Sequence, residues 1–259
     1  MKKLLLSFFI FSIIVIDIKA QDIALTPIQA HHKLSLVSKD FVPASAKNAV
    51  ISLMLNNNTK IEVNCPYKNN VLHGKFKQKL PYGFVKGGFK NGMKEGTWLL
   101  KVEGKKEQLL TYKNDSLHGK FILYKRNMGT SFVYEKIKGS YEVGEKSGTW
   151  IKYREGRKSE VQMYENGLPN GKYIKYDTNY RNYILFEGSF KDGLKHGEWT
   201  EWYGKYYVDN SNSVQGEDIV FIYIPRRKAL VSIYKNGKEV SYTSWSPEGK
   251  LEISKQLVK

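Results

Sequence analysis

The sequence predicts an all-β protein, an elongated antiparallel meander of stacked β-hairpins, on three observations. A ten-residue pattern recurs six times. Asparagine-glycine and aspartate-glycine pairs sit between short runs of aromatic and aliphatic residues, which is the chemistry of tight hairpin turns. Finally, 22 glycines stand against 7 prolines in a chain that is 41% hydrophobic and 14% aromatic, a composition too apolar for disorder and dense in turns.

The first element is a leader. Lys2 and Lys3 precede the apolar run LLLSFFIFSIIVI, and Ala20 supplies a small residue ahead of Gln21. This is the pattern of a secretory signal peptide over residues 1–20, and the run is short for a membrane span; an uncleaved anchor is the alternative. No cysteine follows the run, so lipid attachment is not expected, and the expected localisation is periplasm, cell surface or medium. The single cysteine, Cys65, cannot form an internal disulfide and reads as a small buried apolar residue, with a reactive thiol as the other reading. Residues 21–42 read as a linker. AVISLML (49–55) and KIEVNC (60–65) then flank NNNT, a lead-in hairpin, with a short helix from near Pro43 as the alternative.

The array follows over residues 64–203: YKNNVLHGKF from 67, FKNGMKEGTW from 89, YKNDSLHGKF from 112, YEVGEKSGTW from 141, YENGLPNGKY from 164 and FKDGLKHGEW from 190. Counting the first aromatic as zero, each copy has a turn residue or glycine at +3, glycine at +7 and an aromatic at +9. Successive starts lie 22, 23, 29, 23, 26 and 44 residues apart, the last reaching YKNGKEVSYT from 234, a worn terminal copy without the second glycine. Each unit has room for two short strands. The +7 glycines, Gly74, Gly96, Gly119, Gly148, Gly171 and Gly197, lie where a strand starts, and the expected reason is an aromatic ring lying over the bare backbone. Alternation places the +9 aromatics on one face and the aromatic +12 residues Tyr124, Tyr153, Tyr176 and Trp202 on the other, unless a bulge intervenes.

After the array, YGKYYVDNSNSVQGED (203–218) reads as an irregular insertion, IVFIYIP (219–225) as a strand, and Tyr242 to Lys259 as the closing cap.

The aromatic, KNG or KDG, three residues, glycine and aromatic resemble MORN repeats, in the variant form found in exported or antitoxin-labelled bacterial proteins. The resemblance covers residues 64–203 and returns at 234–243. It implies stacked hairpins in a twisted sheet and a role in protein or membrane association without catalysis. Val143 departs from the turn asparagine, and Asn70 and Asp115 from the first glycine.

The residues give an enzyme no foothold. Gly-x-Ser-x-Gly and HExxH are absent, and no cysteine-histidine pairing stands out. Glu198 and Glu201 flank Trp199 and Trp202, yet they bracket a strand of the repeat and are expected to face solvent. His73, His118 and His196 share the slot before the +7 glycine with Glu95, Ser147 and Asn170, so that slot reads as a polar exposed turn position; no metal or cofactor is expected. His31 and His32 fall in the linker.

Surface remains. The formal charge is +17, from 36 lysines and only 6 arginines among the basic residues. Cleavage removes Lys2, Lys3, Lys19 and Asp17 and leaves the chain strongly basic. Scattered lysines suit solvated edge protection, and weak contact with an anionic membrane or polysaccharide is the competing use; specific nucleic-acid binding, which favours arginine forks, is not expected. The candidate binding residues are Trp202, Tyr203, Tyr206, Tyr207, Tyr176, Tyr153 and Tyr124, since Tyr and Trp anchor interfaces and a loop on a rigid scaffold carries specificity. The expected function is a non-catalytic exported scaffold for a protein partner or envelope surface; the alternatives are a toxin-neutralising partner and a lysine-driven binder of anionic lipid or polysaccharide.

Overall fold

A computed structural model describes residues 45–46, 50–54, 60–64, 67–68, 71–80, 83–126, 132–204, 206–209, 220–223 and 226–257. The expected leader, the expected linker with His31 and His32, and Cys65 lie outside them. The described residues are all-β and antiparallel, without a helix. They fall into two compact units, one reaching Leu123 and including Tyr141–Gly144, the other formed by Tyr124–Ser140 and Glu145 onward.

In the first unit the ladder runs in chain order. Val50–Met54 pairs with Lys60–Asn64, and Gly74–Leu80, Gly83–Lys90, Gly96–Val102, Lys105–Lys113 and the part of Ser116–Arg126 up to Leu123 follow, each beside its predecessor. In the second unit the order is Glu145–Arg154, Arg157–Glu165, Leu168–Tyr176, Ile184–Lys191, Leu194–Trp202, Lys228–Lys235, Lys238–Trp245 and Leu251–Gln256. Among the described residues, no pairing returns from Leu251–Gln256 to an earlier strand than Lys238–Trp245, so the ladder is open at that end.

The turns form as the residue types dictate. Asn91, Asn114, Asn166, Asp192 and Asn236 take φ between 48° and 51°, and the following residue is again in the left-handed region, the paired geometry of a two-residue hairpin turn. Val143 adopts φ 48° as well, which is costly for a β-branched residue. Glu103-Gly104 and Glu155-Gly156 build the intervening turns in the same way.

Hairpins stack through a repeating bond. The N–H of each +3 residue donates to the +5 carbonyl of the preceding copy: Gly92 to Leu72, Asp115 to Lys94, Gly144 to Leu117, Gly167 to Lys146, Gly193 to Pro169 and Gly237 to Lys195, at 2.7–3.1 Å. Such bonds contribute about 1 kcal/mol each, net of water.

The +7 glycines serve a purpose other than the expected one. At Gly197, φ is +73° and a Cβ would meet nothing within 4 Å, so no ring covers it; Gly74, Gly96, Gly119, Gly148 and Gly171 also have positive φ. The turn alone would pair −2 with +7. Instead Tyr112 faces Leu117 while Leu110 faces Phe121, and Tyr164 faces Pro169 while Gln162 faces Tyr173. Two extra residues are therefore absorbed around the glycine, a bulge that brings the +9 ring opposite −2. The terminal copy lacks the glycine and absorbs one residue only, Tyr234 facing Glu239 and Ile233 facing Ser241.

Rings do cover glycines, but at −2. A Cβ on Gly87, Gly139 or Gly188 would lie 2.2–2.3 Å from the ring of Trp98, Trp150 or Trp199 respectively. Phe76 faces Gly87 across the strands and meets Trp98 at 5.3 Å between centroids. Tyr173 faces Gly188 and stacks on Trp199 at 5.7 Å. The aromatics at position zero fill the gaps edge-on, Phe89 against Trp98 and Phe190 against Trp199 at 5.1 and 4.9 Å. Most of the buried apolar residues lie on this face, including Phe89, Trp98, Leu110, Tyr112, Leu117, Phe121, Trp150 and Trp199.

One further expectation is corrected. Residues 203–218 are not wholly irregular: Tyr206–Asp209 pairs with Val220–Tyr223 in a separate two-stranded ladder, as the strand-forming run Tyr-Tyr-Val favours. The flanking strands Leu194–Trp202 and Lys228–Lys235 pair directly with each other, so this hairpin is an excursion from a continuous sheet.

Candidate functional site

The opposite face carries the +12 residues. Tyr124 and Tyr153 both lie beneath one cation, the Lys136 ammonium, 5.4 Å from each ring centroid. Lys138 sits 5.5 Å from the Tyr153 ring and Arg126 5.6 Å from Tyr124. All five side chains are half-buried, so their rings and charges are packed together and still reach solvent. Alternation explains the arrangement: Gly139 and Tyr141 face the aromatic layer, so Lys136 and Lys138 turn the other way. Cations over tyrosine faces are attracted by the ring quadrupole, by about 0.5–1 kcal/mol at such partly exposed sites. In the first unit, the face opposite its own buried rings shows Phe84 between Lys77 and Lys101, at 5.1 and 5.9 Å.

Further along the second unit, Trp202 donates its indole N–H to Glu187 Oε1 at 3.2 Å. The Arg226 guanidinium lies 4.1 Å from the Trp202 ring centroid and 3.4 Å from the same carboxylate. Tyr176 is half-buried opposite Ile184. Tyr203 is engaged structurally: its hydroxyl donates to the Trp245 carbonyl at 2.6 Å and its N–H to the Arg227 carbonyl at 3.0 Å. Burial pushes its pKa up, helped by Glu252 and Glu248. Tyr206 and Tyr207 pair through their backbones with Tyr223 and Ile222; their side chains lie outside the described part. A shallow depression of about 420 Å³ is lined by Tyr173, Lys175, Phe186, Glu201, Trp202 and Tyr203 among others. The structure thus brings Tyr124 and Tyr153 together, places Trp202 with Arg226 and Glu187, and commits the Tyr203 hydroxyl to the fold.

The polar slot before the +7 glycine also serves the fold. His73 Nδ1 accepts the N–H of Asn91 at 3.3 Å, His118 Nδ1 that of Val143 at 3.4 Å, and Glu95 Oε2 that of Asn114 at 3.0 Å. Each acceptor belongs to the copy preceding the turn it holds. The slot is half-buried rather than exposed, because the next turn packs on it; His196 Nδ1 is buried without a hydrogen-bond partner among the described residues. Among the described residues, no group of three His, Cys, Asp or Glu is placed to hold a metal.

Sequence reasoning missed Arg126, Lys136, Lys138, Glu187 and Arg226. The signal for two of them was present: Lys136 and Lys138 alternate in a strand whose other parity ends in glycine and tyrosine, so they share a face. No family model matches the chain, and no curated protein matches it.

Proposed function

We propose that this chain is a non-catalytic binding scaffold, exported by its leader, that takes a protein partner or an envelope surface on the face bearing Tyr124, Tyr153 and Trp202. One observation carries the reading: the Lys136 ammonium bridges the Tyr124 and Tyr153 rings with Lys138 and Arg126 alongside. Packed rings with solvent-facing cations are preorganised, so a partner loses little side-chain entropy in ordering them. The test is a photo-crosslinking residue at position 153, with position 175 on the other face as control, in cells carrying the exported chain. A defined product from 153 alone, lost in Lys136→Glu/Lys138→Glu, is expected. Equal products from both positions, or one indifferent to charge reversal, contradict it.

The same cations favour a second reading, an acidic polysaccharide or anionic lipid surface. Retention on such a surface then falls steeply with added salt, whereas a protein interface anchored on the rings persists.

A further inference from the structure

Among the described residues, the last strand, Leu251–Gln256, has one neighbour, Lys238–Trp245. All six of its residues are exposed, and three large apolar side chains along it stand in solvent: Leu251 at 56%, Ile253 at 49% and Leu257 at 42%. Ile253 faces Ser244, which faces Leu230, which faces Glu201. That row lies on the aromatic face, so Ile253 carries an exposed apolar side chain on that face at the edge strand.

The backbone is equally unfinished. The Leu257 N–H donates inward to the Val240 carbonyl at 2.8 Å, and alternation makes Lys255 and Ile253 the other inward-bonding residues. The N–H and C=O groups of Ser254 and Gln256 therefore point away from the sheet. Natural edges are blunted by proline, bulges or unbalanced charge. Here the register shifts near Trp245, at the Leu251 end, and the strand's two charged residues, Glu252 and Lys255, cancel within a chain of net charge +17.

We propose that this edge pairs antiparallel with the same edge of a second copy, about a two-fold axis through Ser254. In that register Ser254 faces Ser254 of the second copy, both with outward backbone groups, and Glu252 faces Gln256 of the second copy. Ile253 comes beside Lys255 of the second copy, whose stem covers it, and Leu251 beside Leu257 of the second copy. Sliding one way sets Lys255 against its own copy; sliding the other way leaves Leu257 without a partner. The local neutrality of the strand is what lets two strongly basic chains approach at this edge. The contact is isologous and closes at two copies.

Sedimentation of the mature chain over a concentration series tests this, with circular dichroism reporting the fold. The expected result is a reversible species of twice the chain mass. Ser254→Pro removes an outward N–H the intrachain ladder does not use and abolishes the dimer. Ile253→Lys places a charge at an already exposed position and raises the dimer dissociation constant at least about tenfold, and it decides the question alone if the proline variant melts early. Leu194→Lys, equally exposed on another strand, leaves the dimer intact. A wild-type chain that is monomeric throughout, a dimer that survives Ile253→Lys, or an open assembly growing with concentration by pairing with the first edge strand overturns the proposal.

Discussion

Gly188→Ala isolates the contact on which the aromatic layer is built. The φ of Gly188 is not in the left-handed region, so alanine is permitted by the backbone and the nearest obstacle is the Trp199 ring. The new Cβ would lie 2.2 Å from Trp199 Cδ2, against an optimum of about 3.5–4.0 Å, so the ring must withdraw by roughly 1.5 Å. It has nowhere to go cheaply. Trp199 is 2% exposed, is held by its indole N–H on the Ser189 carbonyl at 3.0 Å, and is bounded by Tyr173, Phe186, Phe190 and Tyr234 with centroids 4.9–6.2 Å away. Overpacking of this kind costs about 2–3 kcal/mol, which for a chain of this size lowers Tm by roughly 4–10 °C. Trp199→Tyr alone costs about 2 kcal/mol through the void it leaves. The double variant is expected to cost less than the sum by at least about 1 kcal/mol, because two other copies already pair a larger −2 residue with a smaller ring: Leu110 with Phe121 and Gln162 with Tyr173. Thermal melts followed by far-ultraviolet circular dichroism read all three. A Gly188→Ala chain that melts like the parent, or strict additivity in the cycle, refutes the reasoning.

Two further outcomes follow from the turns and the buried lysine. Val143 holds φ 48° and is 73% exposed, so it has strain without packing; Val143→Asn is expected to raise stability by about 1 kcal/mol, and an unchanged or lower melting temperature contradicts this. Burial brings the Lys94 pKa down to about 8 despite Asp115, so between about pH 8 and 10 the unfolded chain holds a proton that the folded chain has lost, and stability rises with pH by up to about 2–3 kcal/mol. Burial first, and then Asp115 and Tyr141, push Tyr112 up to about 12; the folded chain keeps that proton above about pH 10, where stability falls again. Lys94→Leu, the residue type at the same position in two other copies, removes the Lys94 share and leaves only the contribution of the half-buried Lys146, and urea melts at about pH 7 and 9.5 that show an undiminished rise in the variant refute the assignment.

How far the fold was legible depended on whether a residue acts through its own backbone or across the sheet. Asn91-Gly92, Asn166-Gly167, Asp192-Gly193 and Asn236-Gly237 act locally, and the sequence marks them as hairpin turns without knowledge of any neighbour. The partnership of Gly188 with Trp199 is different, because eleven residues separate them and they oppose one another only after the bulge at Gly197 adds two residues to the register. A ten-residue window starting at the first aromatic cuts off the −2 position. Folding six copies into one consensus also hid a strict alternation: GKF, GTW, GKF, GTW, GKY and GEW close successive copies. The tryptophan copies are those with glycine at −2 and lysine at +5. The candidate site was half legible. Period-2 alternation puts Tyr124, Tyr153 and Trp202 on one face, but Arg226 reaches Trp202 from beyond the excursion hairpin, a proximity that local pattern does not encode.

The alternation also changes what the positive charge means. Lys94, Lys146 and Lys195 occupy the +5 slot filled by Leu72, Leu117 and Pro169 in the other copies. Each lies over the tryptophan of its own copy and the first aromatic of the next, with ammonium-to-centroid distances of 4.6–5.1 Å. Their stems cover ring surface that leucine covers elsewhere, and burial lowers the pKa of Lys94 and Lys146. Lys94 is buried and Lys146 and Lys195 are half-buried, all three used where the larger indole leaves room for a long, thin chain. They belong to the stacking device together with the −2 glycine and the tryptophan, and part of their charge is engaged by the rings. A net charge read from the sequence therefore overstates what an anionic surface would feel. On the proposed reading, the cations a partner meets are those turned to the opposite face, where Lys136 and Lys138 lie against tyrosine rings and remain in reach of solvent.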